Sequence, residues 1–313
     1  VRLYAPANYT PVADDNDPGA VPRYTQNWPV SQYLLDQGVR PVMRIARQDL
    51  NRAFCWHGQE MRWVDDGTGK RRPDLDLSTA KDNVDTLNAK AFAACAELAW
   101  PENINRYWPD AKVKGEPWIP IYLDIEDTTG GPFHVNVNAS AADRDALGKR
   151  MRDAVMALRK ANPHSLLWWY AGPPMLEPQQ LLTITAVNRY REWPKRTSEF
   201  TSAVDSATIS AYEPENADAL WEAGFAKAIR RYREHYSYLP LTVFWKPTYE
   251  GTERAIELEK TKRRFGRFTA ERVDNVVIFE AGPLTEGVRV NVDYAVGAQG
   301  VAGAAGVTKE LKN

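Results

Sequence analysis

Residues 118–131 read WIPIYLDIEDTTGG, an apolar run that ends abruptly in three carboxylates and two glycines. Its first half has the Ile, Tyr and Leu content of a buried strand, and a turn signal closes it. Alternate side chains of a strand share a face, so Tyr122, Asp124 and Glu126 point one way while Ile121, Leu123 and Ile125 point the other. At about 3.3 Å per residue the backbones of Asp124 and Glu126 lie roughly 7 Å apart. That is near enough for each carboxyl to influence the other's proton affinity and for the pair to do acid/base work. A structural role is the other reading of these carboxylates, as caps for the next helix or as acceptors for nearby backbone amides.

Outward from this stretch, strand-like and helix-like segments alternate. Upstream, Arg2 to Ala5 reads as a short first strand, and the Pro-, Asp- and Asn-rich stretch through Pro29 reads as loop. Ser31 to Gln37 reads as a short helix, and Val39 to Arg47 as a strand with Val42, Arg44 and Ala46 on one face. Residues 48–77 are irregular. Long excursions after strands are where barrels build binding walls, which makes Trp56, His57 and Trp63 candidate substrate-binding residues. His57 is weaker as a base or metal ligand because no second ligand lies at helical spacing, and no metal site is expected. Ser78 starts a helix running to about Trp100, with Val84, Leu87, Ala91 and Cys95 on its apolar stripe.

Downstream, Ser140 and Asp143 make a capping-box-like start to a helix bearing Leu147, Met151, Val155 and Leu158. Strands follow at Leu166 to Tyr170, Asp205 to Glu213, Leu241 to Lys246 and Val276 to Glu280, with helices over 217–236 and 253–266. In the second of these strands, Ser206, Thr208, Ser210 and Tyr212 alternate with Ala207, Ile209 and Ala211. Lys262, Arg263 and Arg264 read as a solvated charged face.

This alternation predicts an α/β fold, a parallel sheet with covered faces. About seven strands spread over the whole length without a linker favour a single TIM-like (β/α) barrel of seven or eight strands, one domain over 1–313. Residues 1–30 are then an extended N-terminal segment and 283–313 a C-terminal extension. The carboxyl ends of the strands converge on one rim. There they place Asp124, Glu126 and Asp127, then Tyr170, Tyr212 and Glu213, Trp245 and Lys246, and finally Phe279 and Glu280.

Lys and Arg number 40 against 41 Asp and Glu, so charge gives no reason to expect a nucleic-acid partner. No apolar run reaches the roughly 18 residues of a membrane span. No Gly-rich dinucleotide fingerprint or phosphate loop follows any strand, so no nucleotide cofactor is expected. With Cys55 and Cys95 alone, a disulfide-stapled scaffold is excluded, and one disulfide or two free thiols both remain open. The chain opens at Val1 rather than Met, which a removed export signal and a trimmed start explain equally; the first of these gives the expectation of a secreted or periplasmic protein. Eleven Trp and fourteen Tyr exceed what a core of this size needs, and exposed aromatic faces are suited to flat ligands such as sugar rings.

The order of strand ends YLDIED, LLWWYAGPP, ISAYEP, FWKPTYE and NVVIFEAG resembles the barrel of hyaluronidase-type glycoside hydrolases. It is more distantly similar to the chitinase-type enzymes and to barrel-type lysozymes, which also end a strand in Asp-x-Glu. The layout spans residues 39–282. The resemblance implies a glycoside hydrolase acting on an amino-sugar-containing polysaccharide or oligosaccharide, with Glu126 as general acid/base and Asp124 orienting and stabilising a substrate acetamide. Tyr170 and Tyr212 would contact that acetamide or the reacting sugar; separately, their places at the strand ends make Trp245, Glu280 and Asp127 further candidate substrate-binding residues. Two departures stand out. Phe279 occupies the place of the family's usual Trp near the end of the last strand, and the multiple disulfides of animal members are missing. Two other readings of the same rim are a two-carboxylate glycosidase, with Glu126 as acid and Glu280 or Glu213 as nucleophile or base on a glycan without acetamide, and a catalytically silent barrel that binds glycans.

Overall fold

A computed structural model describes residues 1–8, 11–12, 23–24, 28–46, 62–65, 71–74, 120–124, 140–161, 166–170 and 198–298. Seven strands run parallel in one sheet: β1 (Arg2–Asn8), β2 (Arg40–Ala46), β3 (Ile121–Asp124), β4 (Leu167–Trp169), β5 (Ala207–Ser210), β6 (Leu241–Trp245) and β7 (Asn275–Ile278). Their order is β4-β3-β2-β1-β7-β6-β5, so each strand lies beside its neighbour in sequence and the first pairs with the last. This is a nearly closed TIM-like barrel with helices between the strands. The helices are α1 (Pro29–Asp36), α2 (Ala141–Ala161), the single turn α3 (Ser198–Thr201), α4 (Asp218–His235), α5 (Leu258–Ala270) and α6 (Glu286–Ala298). Two small antiparallel hairpins, Pro11–Val12 with Arg23–Tyr24 and Arg62–Asp65 with Arg71–Asp74, stand outside the sheet. None of the helices among the described residues is long and apolar enough to cross a membrane.

Strand alternation sorts the core into two layers. Leu3, Ala5, Met43, Ile121, Leu123, Leu167, Trp169, Ile209, Val243, Trp245, Val276 and Ile278 face outward and pack under the helices. Tyr4, Val42, Tyr122, Trp168, Tyr170, Tyr212, Phe244 and Val277 fill the barrel interior. The interior is aromatic: Tyr4 meets Trp168 edge-on at 5.2 Å, Tyr122 meets Phe244 at 5.0 Å, and Phe244 meets Tyr170 at 5.0 Å. Rings of this size fill the channel, as side chains do in barrels of about eight strands, so room for a ligand lies at its ends.

The helices follow local rules. At α2 the Ser140 hydroxyl accepts the Asp143 amide at 3.1 Å and donates to its carboxylate at 2.7 Å, the expected N-terminal cap. Helix α5 buries Thr261, Arg264, Phe265 and Phe268, the spacing of one helical face. It starts five residues later than the sequence pattern suggests. Residues 248–257 instead make a turn closed by a bridge between Thr248 and Ala255, with Gly251 at φ 73°, a conformation glycine adopts without strain. The segment expected to be a C-terminal extension contains α6, whose Val288, Val292 and Ala295 are buried against the same core while the Asn291 amide donates to the carbonyls of Pro247 and Ile256. The helix expected over 78–100 lies outside the described residues.

Closure rests on a repeated device. Segments 204–210, VDSATIS, and 273–279, VDNVVIF, carry Asp205 and Asp274 just ahead of β5 and β7. Asp205 accepts the Leu167 amide on Oδ2 at 2.8 Å while its own amide donates to the Leu167 carbonyl at 2.8 Å. Asp274 treats Leu241 identically, at 2.8 and 3.0 Å. Each aspartate thus brackets the first residue of the preceding strand. Ser206 and Asn275, one residue on, both bond Thr242 Oγ1, at 2.7 and 3.0 Å.

The bracket at Asp205 matters most, because β4 and β5 share no ladder among the described residues. Arg159 of α2 donates to Asp205 and to the Ala203 carbonyl, both at 2.8 Å. Thr208 donates to the Trp169 carbonyl, and Tyr170 donates to Ser210 Oγ at 3.2 Å. Losing a hydrogen bond to a charged group and leaving a strand amide unpaired costs about 2 kcal/mol. Asp205→Ala and Asp274→Ala should therefore each lower the unfolding free energy by about that amount in urea titrations, with smaller losses in the Asn variants. Unchanged midpoints would deny the brackets this role.

Candidate functional site

The carboxyl ends of the strands bring Arg44, Asp124, Tyr170, Tyr212, Lys246 and Phe279 together. Asp124 ends β3 on the inward face, as alternation requires, and Arg44 of β2 donates from Nε to its Oδ2 at 2.6 Å. Both side chains are largely buried, with exposures of 17% and 11%, which makes this a charge-assisted pair shielded from solvent rather than a loose surface contact. The Arg44 guanidinium also lies against two rings, 5.2 Å from the centroid of Trp28 and 5.9 Å from that of Phe279.

The opposite wall is a run of stacked rings. Tyr170 stacks on Tyr212 at 6.2 Å and Tyr212 on Phe279 at 6.0 Å, and Trp28 stands edge-on to Phe279 at 4.9 Å. Lys246, at the end of β6, holds its ammonium 4.5 Å from the Tyr212 ring and 5.6 Å from Phe279. Burial pushes the Tyr212 phenol well up from its ordinary value, helped by the neighbouring Tyr170 and Tyr122 hydroxyls and by the Asp124 carboxylate. The phenol therefore stays protonated and keeps a proton to donate. Chemically, the described residues of the mouth offer a fixed carboxylate, two cations and an aromatic wall.

Glu126, Asp127, Trp56 and His57, four of the residues singled out from sequence, lie outside the described residues, as does the side chain of Trp63 in its hairpin strand. Tyr170 and Tyr212 sit with Asp124 at the mouth. Trp245 does not. Alternation turns it outward, where it is fully buried edge-on to Phe265 of α5, so it belongs to the helix-facing core and not to a binding rim. Trp169 is likewise outward, against Phe200, and Trp168 lies inside the barrel against Tyr4.

The two carboxylates considered as partners for Glu126 are both bonded into the fold. Glu280 accepts from the Thr248 hydroxyl and, at 2.8 Å, from the Gly282 amide. A side chain at Gly282 would bring its Cβ to 3.0 Å from that carboxylate, a tight approach. Glu213, next to Tyr212, turns toward the helices and takes a two-point contact from Arg264, at 3.1 and 2.9 Å. Arg264 is fully buried, bonded also to Asp218 and Glu222 and lying 3.9 Å over the Trp221 ring. This corrects the reading of residues 262–264 as a solvated face: the helical period carries Lys262 and Arg263 outward and Arg264 inward.

Sequence reasoning missed Trp28 and Arg44 as members of the site, and it placed Lys246 and Phe279 on the rim without giving either a task there. An available signal was the inward arginine of the VRPVMRIAR strand, since a buried cation beside an inward carboxylate one strand over demands pairing. Nothing in the loop-like stretch before Pro29 marks Trp28.

The anchoring of this mouth can be tested in two ways. Removing one partner of a buried ion pair costs about 3–5 kcal/mol, whereas replacing both with apolar groups is far milder. Arg264→Met should destabilise the fold by that margin in denaturant, and Glu213→Leu added to it should recover much of the loss. The second test concerns acid. The Tyr249 hydroxyl, which donates to Glu257, does most to hold that carboxyl at about 2 against 4.5; burial opposes the shift, and Lys260 and Arg254 add to it. A depressed carboxyl stabilises fully above its unfolded value of 4.5 and loses the contribution as pH falls toward about 2. Urea midpoints measured down to that range should fall less steeply for Glu257→Gln than for the unaltered chain.

No protein-family model matches the chain, and no curated protein matches it. Among solved structures it is similar to the catalytic domain of a hyperthermophilic chitinase from Pyrococcus furiosus, at 11% identity over 94% of this chain and 95% of that one, with a TM-score of 0.41. It is similar to catalytic-site mutants of active domain 2 of a thermostable chitinase from Pyrococcus furiosus complexed with chito-oligosaccharides, at 10% identity over 96% of each chain and a TM-score of 0.42. It is also similar to a methyltransferase from Methanosarcina mazei, at 14% identity over 87% of this chain and 83% of that one, with a TM-score of 0.39. Likenesses at this level leave the site to be read from its own residues.

Proposed function

We propose that the chain is a glycoside hydrolase that cuts an amino-sugar-containing glycan at the barrel mouth by substrate-assisted acid/base catalysis. The observation that carries this reading is Asp124, an inward carboxylate at the strand end, pinned on one oxygen by Arg44 and faced by the wall of Tyr170, Tyr212 and Phe279. Carboxylates among aromatic faces suit sugar chemistry, since the rings stack on pyranose faces and an acid protonates the leaving oxygen.

In this mechanism Glu126, two residues beyond Asp124, is the acid. It gives its proton to the glycosidic oxygen as the bond from that oxygen to the anomeric carbon breaks, and the acetamide oxygen of the same sugar closes on that carbon. Asp124 accepts the acetamide N–H through Oδ1, which carries no other hydrogen bond from the described residues, and stabilises the positive charge that develops. Water then opens the ring intermediate, and its proton returns to Glu126. Tyr212, kept protonated by burial, is a donor for the acetamide or the reacting sugar. The engagement of Glu213 by Arg264 and of Glu280 by Thr248 and Gly282 favours this route over a second protein carboxylate as nucleophile. A polymeric substrate has the protein working outside the cell or in the periplasm.

Glu126→Gln should cut turnover about 100- to 10,000-fold with the fold intact, because it keeps the shape and loses the transferable proton. Asp124→Asn should slow turnover as well. Purified protein and both variants, incubated with a panel of N-acetylated and non-acetylated glycans and followed by product mass, measure this. Trapping of a covalent sugar adduct on a side chain by a fluorinated glycoside, or equal turnover of glycans lacking the acetamide, would overturn the mechanism; binding without any cleavage would make the barrel a glycan-binding protein.

A further inference from the structure

Trp28 is the aromatic residue at the mouth to which the mechanism above gives no task. It sits immediately before Pro29 at the start of α1, on the connection that follows β1, and so on the rim where the strands end. Proline confines the residue before it to extended conformations, and Trp28 has φ −55° and ψ 144°. Its carbonyl accepts the Gln32 amide at 2.9 Å, which ties the same residue into the first helical turn. The backbone that carries the indole is therefore fixed where it enters the helix.

The ring is fixed as well. One contact is edge-on to Phe279 at 4.9 Å and 83°, and another is the Arg44 guanidinium at 5.2 Å. Arg44 is itself held by Asp124 at 2.6 Å, so a single guanidinium joins the indole to the carboxylate. Yet Trp28 remains partly exposed, unlike Trp168, Trp221 and Trp245, which are all at 1% or less. An indole that served only as filling would be closed over like those three. A rigid indole left partly open at a binding mouth presents a large flat contact surface at little cost in rotamer freedom.

We infer that Trp28 is the sugar-stacking wall of the mouth, a platform for a pyranose ring that Arg44 holds in register with Asp124. This rests on the glycosidase reading above and adds to it a binding residue from the first barrel connection. A stacking residue acts on bound substrate before and during the reaction alike, so its removal should appear mainly in KM. Phe279, smaller than an indole and already stacked on Tyr212, provides the back of that platform.

The experiment uses full-length protein labelled with 5-fluorotryptophan in the Glu126→Gln background, with the Trp28 fluorine resonance assigned through Trp28→Phe. The probes are chitotetraose and a tetrasaccharide of alternating N-acetylglucosamine and glucuronic acid. The expected result is a saturable shift of the Trp28 resonance with at least one probe while the buried Trp221 and Trp245 resonances stay in place. In the otherwise unaltered enzyme Trp28→Ala should raise KM for that probe about tenfold, with a smaller change in kcat, and Trp28→Phe should fall between. A probe that is bound or cleaved while the Trp28 resonance stays still and both variants keep the original KM overturns the platform and leaves the glycosidase reading standing. Failure of both probes to bind or be cleaved overturns the amino-sugar glycosidase reading, and the platform with it.

Discussion

A parallel sheet of seven strands has two edges, and each edge presents backbone groups that must find partners before the sheet can become a barrel. Here the two edges are β4 and β5, and side chains join them. Asp205 fastens the start of the seam, Thr208 its middle and the Tyr170–Ser210 contact its end. The continuity of the aromatic wall at the mouth depends on that closure. Only when β4 and β5 are adjacent does Tyr170 stack on Tyr212, and only then does the aromatic wall run continuously from Tyr170 to Phe279. Arg159, reaching in from α2, couples the outer helical layer to the same seam.

The closed barrel is then filled from within. Tyr4, Tyr122, Trp168 and Phe244 occupy the interior, so the polar face of β3 meets solvent only where the strand ends. Charges near the mouth fall into two sets with different duties. Glu213 and Glu280 are drawn into ion pairs and turns that hold the strand ends in place, whereas Asp124 and Lys246 face the opening. The division follows strand parity: a residue's position, odd or even along its strand, decides whether its carboxylate turns under the helices or toward the mouth.

Much of this architecture is legible in the amino-acid sequence. The period-two patterns of VRPVMRIAR, IYLD and DSATISAYE each place the residues on the sides where they are found, because a strand covered on one face and packed inside on the other leaves little choice of register. The cap at Ser140 is equally plain. What the sequence does not display is long-range partnership. Arg264 sits in a run of three cations, and only the spacing of Thr261, Phe265 and Phe268 about it reveals that it faces inward, toward a glutamate far away along the chain. Helix α6 is rich in valine, which suggests a strand, yet Val288, Val292 and Ala295 fall on one helical face and tertiary packing overrides the local preference. Trp28 lies where composition signals only a loop, and its contacts, Phe279 and Arg44, come from the two strands that flank β1 in the sheet.

The paired aspartate brackets have a further consequence for how such a molecule can change. They secure the strands at the edge where the chain enters the sheet, while the Arg44–Asp124 pair and the aromatic wall gather at the edge where it leaves. The brackets and the candidate site thereby sit at opposite ends of the same strands. Substitutions confined to that far edge leave the hydrogen bonds of both brackets untouched. The scaffold is in this sense already arranged as a platform for loop grafting, with Asp205 and Asp274 as the two positions any redesign should leave alone.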